Sequence, residues 1–132
     1  EELIKFKINQ EQVQIIGFNR STLKEVKKKM PGFTVLWLIN LDYNWFTKLT
    51  SVNTKRLLLK ASKSGLDGVD AFAGEMITTT FVQEAKTMNL LVYTWTVDNL
   101  EQAQQLVQNG VDAITSNRCN WLKTKLIQSL NN

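Results

Sequence analysis

Residues 90–116 restrict the kind of sheet this chain can build. Leu90–Val97 is a short run of aliphatic, β-branched and aromatic residues. Leu100–Asn109 carries apolar side chains at helical spacing, and Val111–Thr115 is largely apolar again. The order predicts a strand, a helix that ends at Gly110, and a second strand. Two strands joined through a helix lie parallel, with a right-handed crossover. Both runs are apolar at successive rather than alternate positions, as strands covered on two faces require.

The same alternation runs through the rest of the chain. Further strands are expected at Val13–Ile16, Phe33–Ile39 and Gly68–Phe72, and helices at about Ser21–Met30, Thr54–Ser64, Thr79–Met88 and Asn120–Leu130. The residues up to about Ile8 are expected to complete another helix. Thr22 with Glu25, and Asp98 with Glu101, fit capping boxes that would satisfy free N–H groups at helix starts. Gly65 and Gly110 sit where helices should end, each followed by an apolar residue. Pro31-Gly32 stops the lysine-bearing helix before the strand at Phe33. Ser64-Gly-Leu-Asp-Gly-Val-Asp70 and Asn109-Gly-Val-Asp-Ala-Ile-Thr115 share one pattern of Gly, apolar, Asp, small, apolar. One helix-to-strand junction is used twice. No linker or low-complexity stretch divides the chain, so residues 1–132 read as a single domain unit. Periodicity alone leaves two architectures, an open doubly wound sheet or part of a (β/α)₈ barrel.

Apolar content of 43% and charged content of 21% belong to a globular chain with a core. No apolar run approaches the ~20 residues of a membrane-spanning helix, so no membrane span is expected. The N-terminus, Glu-Glu-Leu-Ile-Lys, is acidic and amphipathic and does not read as a secretory signal. The net charge of +4 is concentrated in Lys24, Lys27, Lys28 and Lys29. No aromatic or glycine-rich recognition motif accompanies these lysines, so a solvated helix face is expected rather than a nucleic-acid partner. One cysteine, Cys119, and no histidine leave no internal disulfide and no zinc site of the usual kinds.

Reactive groups are few. Asp67, Asp70 and Asp112 lie near strand starts, where carboxylates are expected to hold backbone N–H groups or surface cations. Glu75 and Asp98 follow strand ends, the side on which barrels do their chemistry, and Asp98 is expected to be a helix cap. The segment Asn40–Asn53, with Tyr43, Trp45 and Phe46, is either a functional loop or a short helix packing its aromatics down.

Three stretches resemble one known family. Val92-Tyr-Thr-Trp-Thr-Val-Asp98 is similar to the Trp-Thr-Val-Asn/Asp motif of the glycerophosphodiester phosphodiesterases. Gly110-Val-Asp-Ala-Ile-Thr-Ser-Asn-Arg118 resembles that family's closing strand, although Asn117 and Cys119 stand where an Asp and a Pro are usual. Val13-Gln-Ile-Ile-Gly-Phe-Asn19 resembles a mid-barrel strand, with Gly17 replacing a usual Ser, and Lys24 to Pro31 resemble the helix after it. The resemblance covers essentially the whole chain and the second half of the family's barrel.

The resemblance therefore implies the C-terminal portion of a (β/α)₈ TIM-type barrel, with about five parallel strands alternating with helices. It implies a parent enzyme of lipid metabolism that hydrolyses glycerophosphodiesters to glycerol phosphate and an alcohol, using a divalent metal ion, Ca or Mg. The family's His-Arg, Glu-x-Asp and second histidine belong to the first half, so no catalytic residue and no metal ligand is expected in this chain. Trp95, Phe18 and Trp37 are the expected substrate-lining residues, with core packing as the competing role for each. A barrel needs about 200 residues or more, so the implied partner is the missing N-terminal half or a second copy. The chain alone is expected to be inactive. The rival readings are a non-catalytic half-barrel used for binding or self-assembly, and an unrelated small doubly wound domain.

Overall fold

The computed structural model describes residues 9–41 and 53–130. The expected helix before Ile8 and the aromatic segment with Tyr43, Trp45 and Phe46 lie outside them. Five strands occur among the described residues: β1 (Gln14–Gly17), β2 (Thr34–Ile39), β3 (Gly68–Phe72), β4 (Leu91–Trp95) and β5 (Ala113–Ile114). A 3₁₀ turn at Gln10–Gln12 precedes them. Five α-helices accompany them: α1 (Arg20–Lys29), α2 (Thr54–Lys63), α3 (Thr79–Thr87), α4 (Leu100–Asn109) and α5 (Cys119–Leu130). The strands form one parallel sheet in the order β1-β2-β3-β4-β5.

Sequential order with right-handed crossovers puts every helix on the same side. The side chains agree. Val69, Ala71 and Val92 alternate onto that face and join Leu58, Ala61, Val82, Ala85, Ala103 and Leu106 in one core. Small residues on helix and strand let the two layers approach closely. The other face is concave. Gln14 Nε2 on β1 donates to Tyr93 Oη on β4 at 2.8 Å, although β2 and β3 lie between them. In a flat sheet three strand spacings separate such residues by about 14 Å, and side chains standing perpendicular to the sheet would not meet. The sheet is therefore curled, as part of a (β/α)₈ barrel, and not the flat sheet of a doubly wound domain.

The helix starts are capped by asparagine rather than by the expected boxes. The Asn19, Asn53 and Asn99 side chains accept from the N–H groups of Thr22, Arg56 and Gln102, while Thr78 caps α3. Each Asn immediately precedes its helix, which gives its short side chain the direct reach to the third N–H. The helix ends follow the sequence: Gly65 and Gly110 take φ of 70° and 87°.

The repeated junction is the same structure twice. Asp67 N donates to Val35 O at 3.0 Å while Asp67 Oδ2 accepts from Val35 N at 2.8 Å. Asp112 does likewise with Val92, at 2.8 Å for both bonds. Each Asp thus ties the start of its strand to the neighbouring one. Lys27 adds to the first junction, reaching Asp67 Oδ2 at 2.7 Å and Phe33 O at 2.8 Å. Lys24, Lys28 and Lys29 lie exposed on α1. Gly68, next to Asp67, is required by close approach: a Cβ there would overlap the Leu91 carbonyl.

Candidate functional site

At the C-terminal ends of the strands the concave face opens into a cavity of about 260 Å³, lined by Ile16, Phe18, Leu38, Asp70, Trp95, Thr96 and Thr115. It is largely apolar. Trp95 ends β4, and its indole N–H donates to Asp70 O at 3.0 Å. Its ring meets Phe72 edge-on with centroids 5.5 Å apart, and Phe18 with centroids 6.3 Å apart. The second contact again crosses from β4 to β1, so curvature brings the two aromatic residues together. Phe18 is 65% exposed and Ile16 51% exposed, so the apolar wall of the cavity is open on this side. The Trp95–Thr96 peptide bond is cis.

Trp37 does not join them. Its register partners Gly17 and Val69 face the helices, and the ring packs against both apolar clusters of that side. Its indole N–H donates to Phe18 O at 2.9 Å, and the Arg20 guanidinium lies 5.7 Å from its centroid. Strand parity is the reason: Trp37 is one residue away from Leu38, which does line the cavity. Trp37 supports the backbone of Phe18 from behind.

Asp98 is not the cap of α4. Its Oδ1 accepts from Ser116 Oγ and Asn117 N, both at 2.8 Å, and its Oδ2 accepts from Asn117 Nδ2 at 2.9 Å. These bonds, first those from the Asn117 side chain and Ser116, hold the carboxyl below its ordinary value. Asp98 thereby latches the loop after β4 to the loop after β5. Glu75 is exposed in the loop after β3 and stands apart from the cavity.

Asp70 is the residue that sequence reasoning grouped wrongly. It sits in mid-strand, level with Leu38 and Tyr93 on the concave face, rather than at a strand start. It is 3% exposed, its Oδ1 has no hydrogen-bond partner among the described residues, and burial pushes its carboxyl up to about 6. A single acid inside the apolar strand Gly68–Phe72 was the signal. Thr115, its counterpart in the repeated junction, lines the same cavity.

These groups make a wall that can bind and orient. The chain holds no histidine, and among the described residues no three His, Cys, Asp or Glu side chains converge as metal ligands would. The described residues thus do not fit a metal centre of their own. No described helix is long and apolar enough to cross a membrane.

The sequence profile of the glycerophosphoryl diester phosphodiesterase family matches residues 2–120. The chain belongs to that family. Solved structures share its fold. A candidate glycerophosphoryl diester phosphodiesterase from Agrobacterium tumefaciens aligns with a TM-score of 0.80 at 12% identity, over 99% of this chain and 50% of its own. A glycerophosphodiester phosphodiesterase from Parabacteroides distasonis aligns with a TM-score of 0.72 at 20% identity, over 98% and 48%. An Oleispira antarctica phosphodiesterase, solved with the product sn-glycerol-3-phosphate, gives 0.64 at 15% identity, over 84% and 40%. The chain thus spans about half or less of the length of these structures. No curated protein sequence matches it.

Proposed function

We propose that this chain is the C-terminal half of the barrel of a metal-dependent glycerophosphodiester phosphodiesterase, supplying one wall of the substrate pocket. The observation that carries the reading is the pairing of family membership over residues 2–120 with a concave aromatic mouth that contains no acid–base pair. The complete enzyme hydrolyses a glycerophosphodiester to glycerol phosphate and an alcohol. The product complex of the Oleispira relative supports a glycerol phosphate ligand for this fold.

In this reading a divalent cation, Ca or Mg, would be held by the other half of the barrel and not by this chain, and would supply Lewis-acid polarisation of the phosphodiester. The residues of this chain bind and exclude water. Phe18 and Trp95 cover the apolar side of the substrate, and Trp37 and Asp70 O fix those two rings through backbone and indole hydrogen bonds. The Asp98 latch keeps the loops after β4 and β5 in one position beside the cavity. Orientation of this kind lowers a barrier only when the reacting groups are opposite, so the 132-residue chain alone is catalytically silent.

The partner of this half is the N-terminal half of the barrel or a second copy. Both β1 and β5 present an unpaired edge among the described residues, and such edges are covered in stable assemblies. The test is hydrolysis of glycerophosphocholine by the complete gene product and by the chain alone, with and without chelator. Turnover by the former, lost with chelator, supports the reading. Turnover by the purified 132-residue chain refutes it, and a self-paired dimer of this chain by native mass supports a binding or assembly role instead.

A further inference from the structure

The basic residues of this chain are not spread over its surface. Helices α1 and α2 together carry nine of the sixteen basic residues and one of the twelve acidic ones. The rest of the chain is acidic on balance, with seven basic residues against eleven acidic. Arg20 Nη1 donates to Ser64 Oγ at 2.6 Å and ties the start of α1 to the residue that follows α2, so the two charged helices are neighbours. Both ion pairs among the described residues, Lys27 with Asp67 and Lys28 with Glu25, engage α1. On α2 no acid answers the cations.

The exposed face of α2 consists of Lys55, Arg56, Leu59, Lys60, Ser62 and Lys63, while Leu58 and Ala61 are buried. A face that serves solubility alone is best stabilised by acids in the first turn and by Glu–Lys pairs at i, i+4. Here Lys55 and Arg56 occupy the first turn, where the helix dipole disfavours cations, and Arg56 meets Lys60 at i+4. Leu59 is 40% exposed and lies midway between Lys55 and Lys63 on the same stripe. That stripe is about 12 Å long. A leucine set among four cations makes the helix amphipathic outward as well as inward.

The location and the chemistry together select the partner. Helix α2 joins β2 to β3 and so lies away from both open edges of the sheet. Its exposed face is on the convex side, which neither the remainder of a barrel nor a second copy paired at an edge covers. A row of cations answers phosphate. Nucleic acid would leave Leu59 nowhere to bury, and none of the six exposed residues is an aromatic on which a base could stack. An anionic bilayer serves both chemistries, because its phosphate headgroups meet the cations and its acyl boundary receives the leucine.

We propose that the exposed face of α2 docks this chain on an anionic phospholipid bilayer, with Lys55, Arg56, Lys60 and Lys63 on the headgroups and Leu59 at the acyl boundary. With ten residues α2 is too short to span a bilayer and lies along its surface. The proposal goes beyond the phosphodiesterase reading and does not rest on it, since it concerns the other side of the sheet and requires no turnover.

The test is co-sedimentation of the full 132-residue chain with vesicles of phosphatidylcholine alone and of phosphatidylcholine with about one-third phosphatidylglycerol. The anionic vesicles are expected to bind about tenfold or more tightly, and the difference should shrink as salt rises. Lys55→Gln with Lys63→Gln is expected to weaken that binding by about tenfold or more. Lys123→Gln with Lys125→Gln removes the same charge from α5 and should change it by no more than about twofold. Leu59→Ser should weaken it several-fold without altering its salt dependence. No preference for anionic vesicles, equal losses from the α2 and α5 variants, or an unaffected Leu59→Ser overturns the proposal. Tighter binding to a DNA duplex at the same salt overturns it in favour of a nucleic-acid partner. Every substituted residue is exposed, and should a variant nevertheless fail to fold, the comparison of the two vesicles and the duplex with the native chain still decides.

Discussion

The two ends of the sheet handle their polar groups in opposite ways. At the floor, where strands begin, every aspartate is consumed: Asp67 by Val35 N and Lys27, Asp112 by Val92 N. Toward the mouth, mid-strand Asp70 is buried without a partner on Oδ1 among the described residues, Phe18 is two-thirds exposed, and Ile16 is half exposed. The floor is built to hold strands in register, and the mouth is built to be completed by something else. The contrast teaches where to test for function: satisfied carboxylates beside backbone are architecture, and an unsatisfied one beside exposed aromatics is the place to probe for a site.

The contrast is broken most directly at the floor. Gly68→Ala forces a Cβ into the Leu91 carbonyl between β3 and β4. Backbone cannot yield as a side chain would, so a loss of about 3 kcal/mol or more is expected. Urea unfolding followed by circular dichroism measures it, and a loss below 1 kcal/mol would show that the strands can separate there. Asp67→Ala and Asp112→Ala each leave a strand N–H without its acceptor, with expected costs of about 1–3 kcal/mol. Asp67→Ala should be the costlier of the two because Lys27, its side chain only 20% exposed, also loses a partner. An equal cost would mean that the Lys27 ion pair adds little.

At the mouth the sign reverses. The Asp70 carboxyl rises from an ordinary 3.8 to about 6 on folding, so the folded chain binds more protons than the unfolded chain between those values. Stability contributed by this group therefore increases as pH falls from about 7 to about 4. Asp70→Asn removes that dependence and should stabilise the chain at pH 7 by on the order of 1–2 kcal/mol, less than the full titration shift because the amide is also buried. The difference between native and Asp70→Asn unfolding free energies across pH isolates this residue from Asp98. Asp98, held below its ordinary value, works in the opposite direction and loses its stabilising bonds as pH falls through the carboxylate range. A native chain whose stability relative to Asp70→Asn does not change between pH 7 and 4 would show that burial leaves the Asp70 carboxyl unshifted, and one that loses stability as pH falls would place Asp70 among the satisfied carboxylates.

How much of this was legible follows from which residues carry a unique signal. The strands, the helices and the twice-used junction were readable because Gly65 and Gly110, with an Asp two residues later, leave few alternatives at those positions. The caps were not. Asn19-Arg-Ser-Thr22 and Asp98-Asn99 offer several side chains able to cap, and only the path of the backbone selects Asn19 and Asn99. Trp95 and Trp37 looked alike in sequence, since β2 is apolar on both faces and its pattern gives no parity from which to tell lining from packing. Asp70 was obscured by its neighbour Asp67. Two acids three residues apart read as one kind of position, yet the first precedes the strand and the second points from its middle into the concave face. Contacts that depend on curvature, such as Gln14 with Tyr93 and Phe18 with Trp95, join residues about 80 positions apart, and no local pattern announces them.

The smallest stability effect is expected where the functional one should be large. Phe18 is exposed, its ring meets Trp95 near-perpendicularly, and its backbone carbonyl, which accepts from Trp37, is kept in the variant, so Phe18→Ala should change unfolding free energy by no more than about 0.5 kcal/mol. Trp95 is tied to Phe72, Phe18 and Asp70 O, and Trp95→Ala should cost more, about 1–3 kcal/mol, through lost ring contacts and an unmatched carbonyl. Under the proposed function both changes in the complete enzyme remove wall rather than chemistry. Phe18→Ala is therefore expected to raise KM for a glycerophosphodiester several-fold with kcat nearly unchanged, as loss of uniform binding does. A fall in kcat at constant KM would instead place Phe18 against the reacting atoms. An unchanged kcat/KM combined with a large loss of stability would return it to the role that Leu58 and Val92 already fill on the helix-covered side of the sheet.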